Sequence, residues 1–285
     1  MPHVAGKFGS GGQMRVAVLG TGKMGAAAAR RLASQGFDLH LWNRTKERAD
    51  AVGVGEVFAT PEEAVAEVDV AITILTGPPA VHAVYRRLDP RGERVYLEMS
   101  TAGPEVPEDL GRRFHRLVAA PVIAPPPALE AGEALFLVGG PEEAIEQGRP
   151  VLEALGEFRN VGTYRRAAAM KLMNNTMLAI TAAAGAELVE AGLRAGLTPE
   201  EAFEWVKRHA PYLETRKSGY LGGPYAPVTF ALRDMLKDVD LGLQLFAGPD
   251  FPMPITEAVR QAFAEVVDEH GDEELTAVRE RYRPQ

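Results

Sequence analysis

The stretch Arg15–Ala33, which reads RVAVLGTGKMGAAAARRLA, decides the fold expected of this 285-residue chain. It begins with a short apolar run, Arg15–Leu19, of the kind that forms a buried strand. A glycine cluster, Gly20–Gly25, follows directly, and the composition then becomes helical over Ala26–Gln35. The pattern therefore predicts a strand, a tight turn and a helix in immediate succession.

The glycines of this turn have the spacing G-x-G-x-x-G. Gly20 permits the tight turn, Gly22 lets a pyrophosphate approach the backbone, and Gly25 allows close packing of helix on strand. The helix N-terminus then offers N–H groups to phosphate. A glycine-rich turn in another kind of α/β protein is the alternative. We expect a dinucleotide cofactor to be bound by Gly20, Thr21, Gly22, Lys23, Met24 and Gly25.

Short apolar runs continue to alternate with helix-like segments after this turn. Further strands are expected at Asp38–Trp42, Val57–Phe58, Val70–Leu75, Arg94–Met99, Arg116–Ala120, Ala134–Val138 and Phe158–Val161. The alternation predicts the α/β class, with a doubly wound, Rossmann-type parallel sheet covered by helices on both faces. After Gly162 the composition is helical throughout, beginning with the uninterrupted stretch Ala167–Ala195. We predict a flexible leader at residues 1–13, a Rossmann-type domain at 14–162, and an all-α domain at 163–285 led by a long interdomain helix.

The composition excludes several classes of function. A formal net charge of −8 makes nucleic acid and anionic membranes poor partners. The chain has no cysteine, which excludes disulfides, zinc–thiolate sites, iron–sulfur clusters and cysteine nucleophiles, and no metal site is expected. The stretch Met1–Gln13 lacks the apolar run of a secretory signal, and no membrane-spanning stretch is expected. We expect a cytoplasmic protein, and the scarcity of Cys, Asn and Gln is typical of a heat-adapted source.

The end of the second predicted strand indicates which dinucleotide is bound. NAD sites carry an acidic residue there, which binds the ribose hydroxyls. Here the strand ends in Asn43, Arg44 and Thr45, with Lys46 and Arg48 close behind and no carboxylate at the strand end. A ribose 2′-phosphate needs donors and positive charge, which arginine supplies as a planar fork. The cofactor is therefore expected to be NADP, although an ordinary solvated helix start would look the same.

The long helical stretch contains an unusual polar group. Lys171 and Asn175 are four residues apart and so project from one face, with Asn174 beside them. In a helix of Ala, Met and Leu these side chains are expected to line a cleft, where a lysine amine suits general acid–base chemistry. A capping role or a solvated polar stripe is the alternative. A second polar pair, Lys237 and Asp238, follows on another predicted helix, where an exposed charge pair is the simpler interpretation.

Taken together, these motifs resemble the β-hydroxyacid dehydrogenase family, and the resemblance covers nearly everything after Met14. It is carried, in order, by Gly20–Gly25, Asn43–Thr45, Leu75, Glu98–Thr101, Lys171–Asn175 and the segment from Phe230 to Lys237 and Asp238. The family resemblance implies that Leu75 and Phe230 contact the cofactor. It implies that Ser100 and Thr101 lie near nicotinamide and substrate, with Glu98 in place of the usual Asp.

The same resemblance implies roles for the lysines and asparagines. Lys171 and Asn175 would be the catalytic residues, with Asn175 orienting the substrate. Asn174 would bind substrate, and Lys237 would lie near cofactor and substrate. The substrate loop of the family, D-A-P-V-S-G-G, is replaced here by Ala119–Pro125, followed by Pro126 and Pro127. Ile123 and Ala124 occupy the substrate-binding positions, but neither has a hydroxyl and Pro125–Pro127 have no N–H. Carboxylate recognition must therefore differ from that of the family, or the substrate does.

The sequence predicts reversible oxidation of a small β-hydroxy acid by NADP, with 3-hydroxyisobutyrate and L-serine as candidate substrates. The active site is expected in the cleft between the two domains. An NADPH-dependent reductase of a small aldehyde or imine is the first alternative, because the proline-rich loop favours a less acidic substrate. A catalytically inactive Rossmann module used for interaction is the second. The partners expected are a small-molecule substrate and further copies of the chain, as a homo-oligomeric dimer or tetramer.

Overall fold

The computed structural model describes residues 7–8 and 12–283. Of the leader predicted at residues 1–13, residues 1–6 and 9–11 lie outside the described residues. The remainder forms two short strands, β1 (Lys7–Phe8) and β2 (Gly12–Gln13), which pair antiparallel. The chain divides into two compact units, the first ending at Lys171 and the second beginning at Leu172.

The first unit contains the remaining strands and eight helices, the last of which continues into the second unit. The strands are β3 (Arg15–Leu19), β4 (Asp38–Trp42), β5 (Glu56–Val57), β6 (Val70–Thr73), β7 (Val95–Glu98), β8 (Leu117–Ala119), β9 (Val122–Ile123), β10 (Ala134–Gly139) and β11 (Gly156–Gly162). The helices are α1 (Lys23–Ser34), α2 (Lys46–Asp50), α3 (Pro61–Val65), α4 (Pro78–Tyr85), α5 (Glu105–Gly111), α6 (Pro126–Ala131), α7 (Glu142–Leu155) and α8 (Tyr164–Arg194).

The main sheet of the first unit is doubly wound, as predicted. Its strand order is β11-β10-β8-β7-β6-β3-β4-β5, with β9 paired to β10. The six strands from β8 to β5 are parallel, and the order reverses between β6 and β3, the switch point at which such sheets bind ligands. The register pairs Leu19 with both Trp42 and Thr73, and Thr73 with Glu98. The residues that follow these strands therefore meet at one edge.

The prediction of a wholly parallel sheet is wrong at one end. Strand β10 runs antiparallel to β8 and β9, while β11 is parallel to β10. A parallel crossover needs a connection long enough to return the chain along the sheet, normally through a full helix. Between β8 and β10 the chain has only the two-residue strand β9 and the six-residue helix α6. The sheet is consequently mixed.

Both faces of the sheet are buried, because alternate residues of each strand point to opposite sides. Val16 and Val18 pack in one core with residues of α1 and α7. Ala17 and Leu19 pack in the other, with residues of α4 and α5. The almost continuous apolar strands follow from this two-sided burial.

The second unit is helical, as predicted, and starts with the remainder of α8. The helices after it are α9 (Pro199–Lys207), α10 (Lys217–Tyr220), α11 (Leu232–Phe246), α12 (Pro254–Ala264) and α13 (Val267–His270), with 3₁₀ helices at Pro211–Arg216 and Leu275–Tyr282. Helix α8 buries Ala182, Ala186 and Val189 in the core of this unit. By length and composition α8 could also cross a bilayer, a test that a core helix of a soluble protein passes equally well.

Candidate active site

The glycine turn after β3 has three glycines with different physical requirements. Gly20 has φ +99°, and a Cβ there would lie 2.3 Å from the carbonyl oxygen of Ile74. A Cβ on Gly25 would lie 1.8 Å from the carbonyl oxygen of Gly20. A Cβ on Gly22 would meet nothing within 4 Å. The fold itself therefore requires Gly20 and Gly25, whereas only a ligand would require Gly22.

Helix α1 begins directly after Gly22, which caps it without a side-chain hydrogen bond. The helix thus begins without a side-chain cap, and its N-terminus carries the partial positive charge that favours a phosphate group. Beside this N-terminus, the buried Thr21 Oγ1 has no hydrogen-bond partner in the part of the chain described. An open face at Gly22, a helix N-terminus without a side-chain cap and an orphaned hydroxyl fit the pyrophosphate of a dinucleotide.

The end of β4 is tied to this turn by Asn43. Its Oδ1 accepts a hydrogen bond of 3.1 Å from the backbone N–H of Thr21, and its Nδ2 donates one of 2.8 Å to the carbonyl of Thr45. The oxygen and the nitrogen of the Asn43 amide are thus both hydrogen-bonded to backbone groups, and this side chain stabilises the conformation of the turn. Lys46 Nζ lies 2.8 Å from Asp50 Oδ1.

Arg44 is exposed at the same strand end and differs from Lys46 in its electrostatics. Within residues 7–8 and 12–283 it makes no ion pair or side-chain hydrogen bond, and neither does the side chain of the exposed Arg48. The charge of Lys46 is balanced by Asp50, so Arg44 and Arg48 carry the uncompensated charge. An unpaired guanidinium here, with no carboxylate at the strand end, fits a 2′-phosphate on the ribose.

The ends of β6 and β7 are joined by Ser100. Its Oγ accepts a hydrogen bond of 2.9 Å from the N–H of Leu75, while its own N–H donates one of 3.0 Å to Glu98 Oε1. The Leu75 side chain lies against Gly20, at 2.8 Å from where a Cβ would stand. Ser100 is buried, whereas Thr101 is partly exposed. The structure thus brings Gly20, Leu75 and Ser100 together at one edge of the sheet.

Glu98, the last residue of β7, carries a buried carboxylate that acts on Tyr85. Glu98 is 2% exposed and lies close enough to Tyr85 for its charge to change the pKa of the Tyr85 hydroxyl. Burial raises the pKa of the Tyr85 hydroxyl well above its ordinary value, and the negative charge of Glu98 raises it further. Tyr85 therefore stays neutral, with its hydroxyl 3.1 Å from that of Thr73.

The second group of predicted residues lies along α8 and α11. Asn175 is 2% exposed, and its Nδ2 donates a 2.5 Å hydrogen bond to Oδ2 of Asp238, which is equally buried. Oδ1 of Asp238 accepts from Nζ of Lys237, and Oδ1 of Asn175 accepts from Asn174 at 3.0 Å. Lys171, partly exposed, lies one turn before Asn175 on the same helix. The polar residues of the two helices thus form one connected network around Asp238.

Close packing of α8 on α11 allows this network to form. A Cβ on Gly242 of α11 would lie 2.7 Å from Thr176 Oγ1 of α8. The glycine therefore permits the approach that brings Asn175 to Asp238. The amide of Asn175 and the carboxylate of Asp238, both buried, would each cost free energy if left unpaired. Their mutual hydrogen bonds offset that cost and fix the orientation of the Asn175 amide.

Phe230 lies just before α11, and its backbone is held by Glu274. The carboxylate of Glu274 accepts hydrogen bonds from the N–H groups of Thr229 and Phe230, at 2.6 and 3.0 Å, and pairs with Arg216 at 2.8 Å. The Phe230 ring is partly buried against the core of the second unit. Contact between Phe230 and cofactor stays a prediction.

Two family models match consecutive parts of the chain. Residues 15–165 match the NAD binding domain of 6-phosphogluconate dehydrogenase, and residues 166–281 match the NAD-binding domain of NADP-dependent 3-hydroxyisobutyrate dehydrogenase. The chain belongs to the β-hydroxyacid dehydrogenase family. The resemblance inferred from its motifs is confirmed.

Relatives within this family share about a quarter of their residues with the chain. Glyoxylate/succinic semialdehyde reductase 2 of Arabidopsis thaliana is 28% identical, over 94% of this chain and 79% of that protein. L-Threonate dehydrogenase of Cupriavidus necator is 28% identical, over 92% of this chain and 94% of that protein. The structure of 3-hydroxyisobutyrate dehydrogenase from Salmonella typhimurium has a TM-score of 0.83 at 21% identity, covering 94% of this chain and 99% of the other. The sequence relatives and family models indicate an NAD(P)-dependent oxidoreductase of the hydroxyacid dehydrogenase type.

The loop at which this member departs from the family pattern is more ordered than the sequence suggests. Ile123 belongs to strand β9, opposite Leu135 of β10, and Ala124 packs against the core. Pro125 caps α6, which places Pro126 and Pro127 at its first two positions. Proline suits those positions because its missing N–H would have no partner in the helix.

This helix start also has a chemical consequence for substrate binding. Pro126 and Pro127 have no N–H, and the next two donors, Ala128 and Leu129, both bond the carbonyl of Pro125 at 3.1 Å. The first turn of α6 therefore offers no unused N–H to an anion. A substrate carboxylate must be held by other groups in this family member.

Sequence reasoning missed Asp238 as a functional residue. It was assigned with Lys237 to an exposed charge pair, yet its carboxylate is buried. The signal lay in the spacing, because Asp238 follows Met235 by three residues and precedes Val239, both fully buried. A helical period thus placed the carboxylate on the apolar face. In the part of the chain described, no group of three or more acidic or histidine side chains is arranged to hold a metal ion.

Proposed function

We propose that the chain is an NADP-dependent dehydrogenase of a small β-hydroxy acid such as 3-hydroxyisobutyrate or L-serine. The observation that carries the proposal is the network of the buried Asn175 and Asp238 with the partly exposed Lys237, one helical turn from Lys171. Polar groups this deeply buried need a reason beyond folding, and holding a substrate hydroxyl beside an amine is one.

Cofactor binding is assigned to the first unit. Gly20–Gly25 and the N-terminus of α1 would hold the pyrophosphate, Arg44 the 2′-phosphate, and Leu75 and Thr101 the nicotinamide end. Bound NADP supplies the acceptor for a hydride in one direction and its donor in the other. Asn43 and Ser100 act through the backbone, since their side chains hold the N–H groups of Thr21 and Leu75.

Proton transfer is assigned to Lys171. In the oxidation, Nζ of Lys171 takes the proton of the substrate hydroxyl as a hydride leaves the same carbon, so that the alcohol loses one proton to the amine and one hydride to the cofactor. In the reduction, the protonated amine returns that proton to the oxygen. The amide of Asn175, fixed by Asp238, has one further N–H with which to orient the substrate oxygen.

A second candidate function is reduction of a small aldehyde or imine that lacks a nearby carboxylate. The observation that favours it is the first turn of α6, where no backbone donor is left for an anion. A relative named glyoxylate/succinic semialdehyde reductase supports reduction of aldehydes in this family, but both aldehydes in its name carry a carboxylate. Under the first proposal, Asn174 and Lys237 would supply the missing carboxylate contacts.

A substrate panel separates the two candidates. Turnover of 3-hydroxyisobutyrate and L-serine with NADP⁺ is measured beside reduction of simple aldehydes and imines with NADPH. Activity on hydroxy acids supports the first proposal, and activity confined to carboxylate-free carbonyl compounds or imines supports the second. Lys171→Ala is expected to lower kcat at least about 100-fold while leaving NADPH binding unchanged. Lys207→Ala on α9 serves as the control, and equal activity of the two variants would exclude Lys171 from the chemistry.

We also propose that the protein is a homo-oligomer. Large apolar side chains are exposed along α8 at Met173, Met177 and Leu188, with Trp205 exposed on α9. Such residues are typically covered in an assembly. Light scattering after gel filtration measures the mass in solution, and a strictly monomeric protein at micromolar concentration would contradict the proposal.

A further inference from the structure

A cavity lies in the first unit, away from the glycine turn. Its volume is about 370 Å³, and its lining includes Arg91, Arg94, Arg113, His115 and Arg116. None of the nine lining residues is acidic. In a chain with a formal net charge of −8, four guanidinium groups around one cavity form a local reversal of charge.

The position of this cavity separates it from the cofactor-binding edge. Arg94 immediately precedes β7 and Arg116 immediately precedes β8, so the cavity lies at the amino ends of parallel strands. Gly20, Leu75 and Ser100 follow the carboxyl ends of strands in the same sheet. The two sites are thus on opposite edges of the sheet.

Two of the four arginines are neutralised by neighbouring carboxylates. Arg91 forms hydrogen bonds to both carboxylate oxygens of Asp89, which hold the pKa of that carboxyl at about 2 and keep it ionised. Arg116 pairs with Glu93 and, at 3.6 Å, with Glu143. None of these acidic partners belongs to the lining of the cavity.

The other two arginines have no ion pair within the described residues. Arg94 donates to the hydroxyl of Tyr96 at 2.9 Å and to the carbonyl of Ala66 at 3.2 Å, and its buried Nε has no hydrogen-bond partner. Arg113 is exposed and rests over the ring of Phe114, 5.4 Å from its centroid. The Arg94 guanidinium is thus hydrogen-bonded only to neutral groups, although its charge also helps to lower the pKa of the Asp89 carboxyl. The Arg113 guanidinium rests on an aromatic ring.

We propose that this cavity binds a small phosphorylated anion through Arg94 and Arg113. Guanidinium groups match the oxygens of phosphate in pairs, and the volume suits a compact ligand of metabolite size. Two charges of the same sign held close to one another repel, and a multiply charged ligand removes that repulsion. The proposal is independent of the reaction at the cofactor edge.

Calorimetric titration with inorganic pyrophosphate tests this proposal. Saturating NADPH is present throughout, so that the glycine turn and Arg44 are already occupied. We expect saturable binding of one pyrophosphate per chain, and binding weakened about 10-fold in Arg113→Gln and further in Arg94→Gln/Arg113→Gln. Arg112→Gln is the matched control, because Arg112 is exposed, neighbours Arg113 and is absent from the lining.

Several outcomes would overturn the proposal. These are the absence of saturable binding in the presence of NADPH, and equal weakening in the Arg112 and Arg113 variants. Binding of citrate in preference to pyrophosphate would overturn the assignment to phosphate. Arg94 donates to both Tyr96 and Ala66, so its replacement can disturb the fold. The double variant is therefore compared with the parent protein only when the two have the same midpoint of thermal unfolding. The single variant Arg113→Gln is by itself a sufficient test, because the exposed Arg113 side chain can be replaced without disturbing the core.

Discussion

Asn175 of α8 and Asp238 of α11, 63 residues apart in the chain, share a hydrogen bond of 2.5 Å between two fully buried side chains. The same carboxylate accepts from Lys237, so that one acidic group orders an amide and an ammonium at once. In the proposed reaction, this arrangement orients Asn175 beside the amine of Lys171. Asp238 is therefore a positioning residue, which acts through its neighbours.

Replacing Asp238 by Asn is expected to lower kcat about 10- to 100-fold. An amide has one acceptor oxygen and one donor nitrogen, so it cannot accept from both Asn175 and Lys237 on separate oxygens. The amide of Asn175 then loses its fixed orientation. The measurement is kcat and KM for the best hydroxy acid, together with the Kd of NADPH by fluorescence.

The control for this variant is Asp240→Asn on the same helix. Asp240 is partly exposed and pairs with Arg260, away from Asn175. We expect its kcat to stay within about twofold of the parent. Similar losses in both variants, or an unchanged kcat in Asp238→Asn, would show that the network does not position the reacting groups.

The glycine turn yields a prediction that separates folding from binding. A Cβ at Gly25 would collide with the carbonyl of Gly20, so Gly25→Ala is expected to lower the free energy of unfolding by about 2 kcal/mol or more. A Cβ at Gly22 meets only open space, so Gly22→Ala is expected to cost less than about 1 kcal/mol. It should nevertheless weaken NADPH binding about 10-fold, because the methyl group occupies the approach of the pyrophosphate. Unaltered NADPH affinity in Gly22→Ala would place the pyrophosphate elsewhere.

Arg44 is expected to decide the choice between the two dinucleotides. Arg44→Ala should weaken NADPH binding about 10- to 100-fold and NADH binding less than about threefold, because only NADPH has the 2′-phosphate. Lys46→Ala is the matched control, since the charge of Lys46 is already balanced by Asp50. Equal weakening of NADPH and NADH in Arg44→Ala would contradict the assignment of Arg44 to the phosphate. Fluorescence titration of both nucleotides provides the comparison.

The ion pair between Arg279 and Glu190 is expected to be the most sensitive electrostatic contact of the second unit. The two side chains are 3% and 5% exposed and lie 2.6 Å apart, joining the C-terminal 3₁₀ helix to α8. Glu190→Gln leaves a buried guanidinium without its counter-charge and should lower the free energy of unfolding by about 3–5 kcal/mol. Urea denaturation measures the change.

An exposed pair in the same unit provides the comparison for Glu190. Arg281 and Glu265 lie 2.8 Å apart, and the exposed fractions of the two side chains are 34% and 41%. Glu265→Gln is expected to cost less than about 1 kcal/mol, because solvent screens the pair. A larger loss in Glu265→Gln than in Glu190→Gln would show that burial does not govern these contacts.

Most of the fold could be predicted because its signals are local. The run Arg15–Leu19 and the turn Gly20–Gly25 specify a strand, a tight turn and a helix within one short stretch, and the alternation of apolar runs does the same along the first unit. Strand β9 was missed because its two residues lie between prolines and carry no period. Its pairing with β10 depends on Leu135, twelve residues after Ile123 in the chain.

The sequence by itself determined the glycine turn, the length of α8, the spacing of Lys171 and Asn175, and the lack of a carboxylate after β4. These features depend on the backbone preferences of single residues and on interactions between residues a few positions apart in the chain. Only the tertiary structure decided that Asp238 is buried against Asn175, that α6 has no donor left for an anion, and that arginines gather at the far edge of the sheet. Those features depend on which distant side chains meet, because burial and hydrogen bonding are set by packing between elements that the local pattern does not encode.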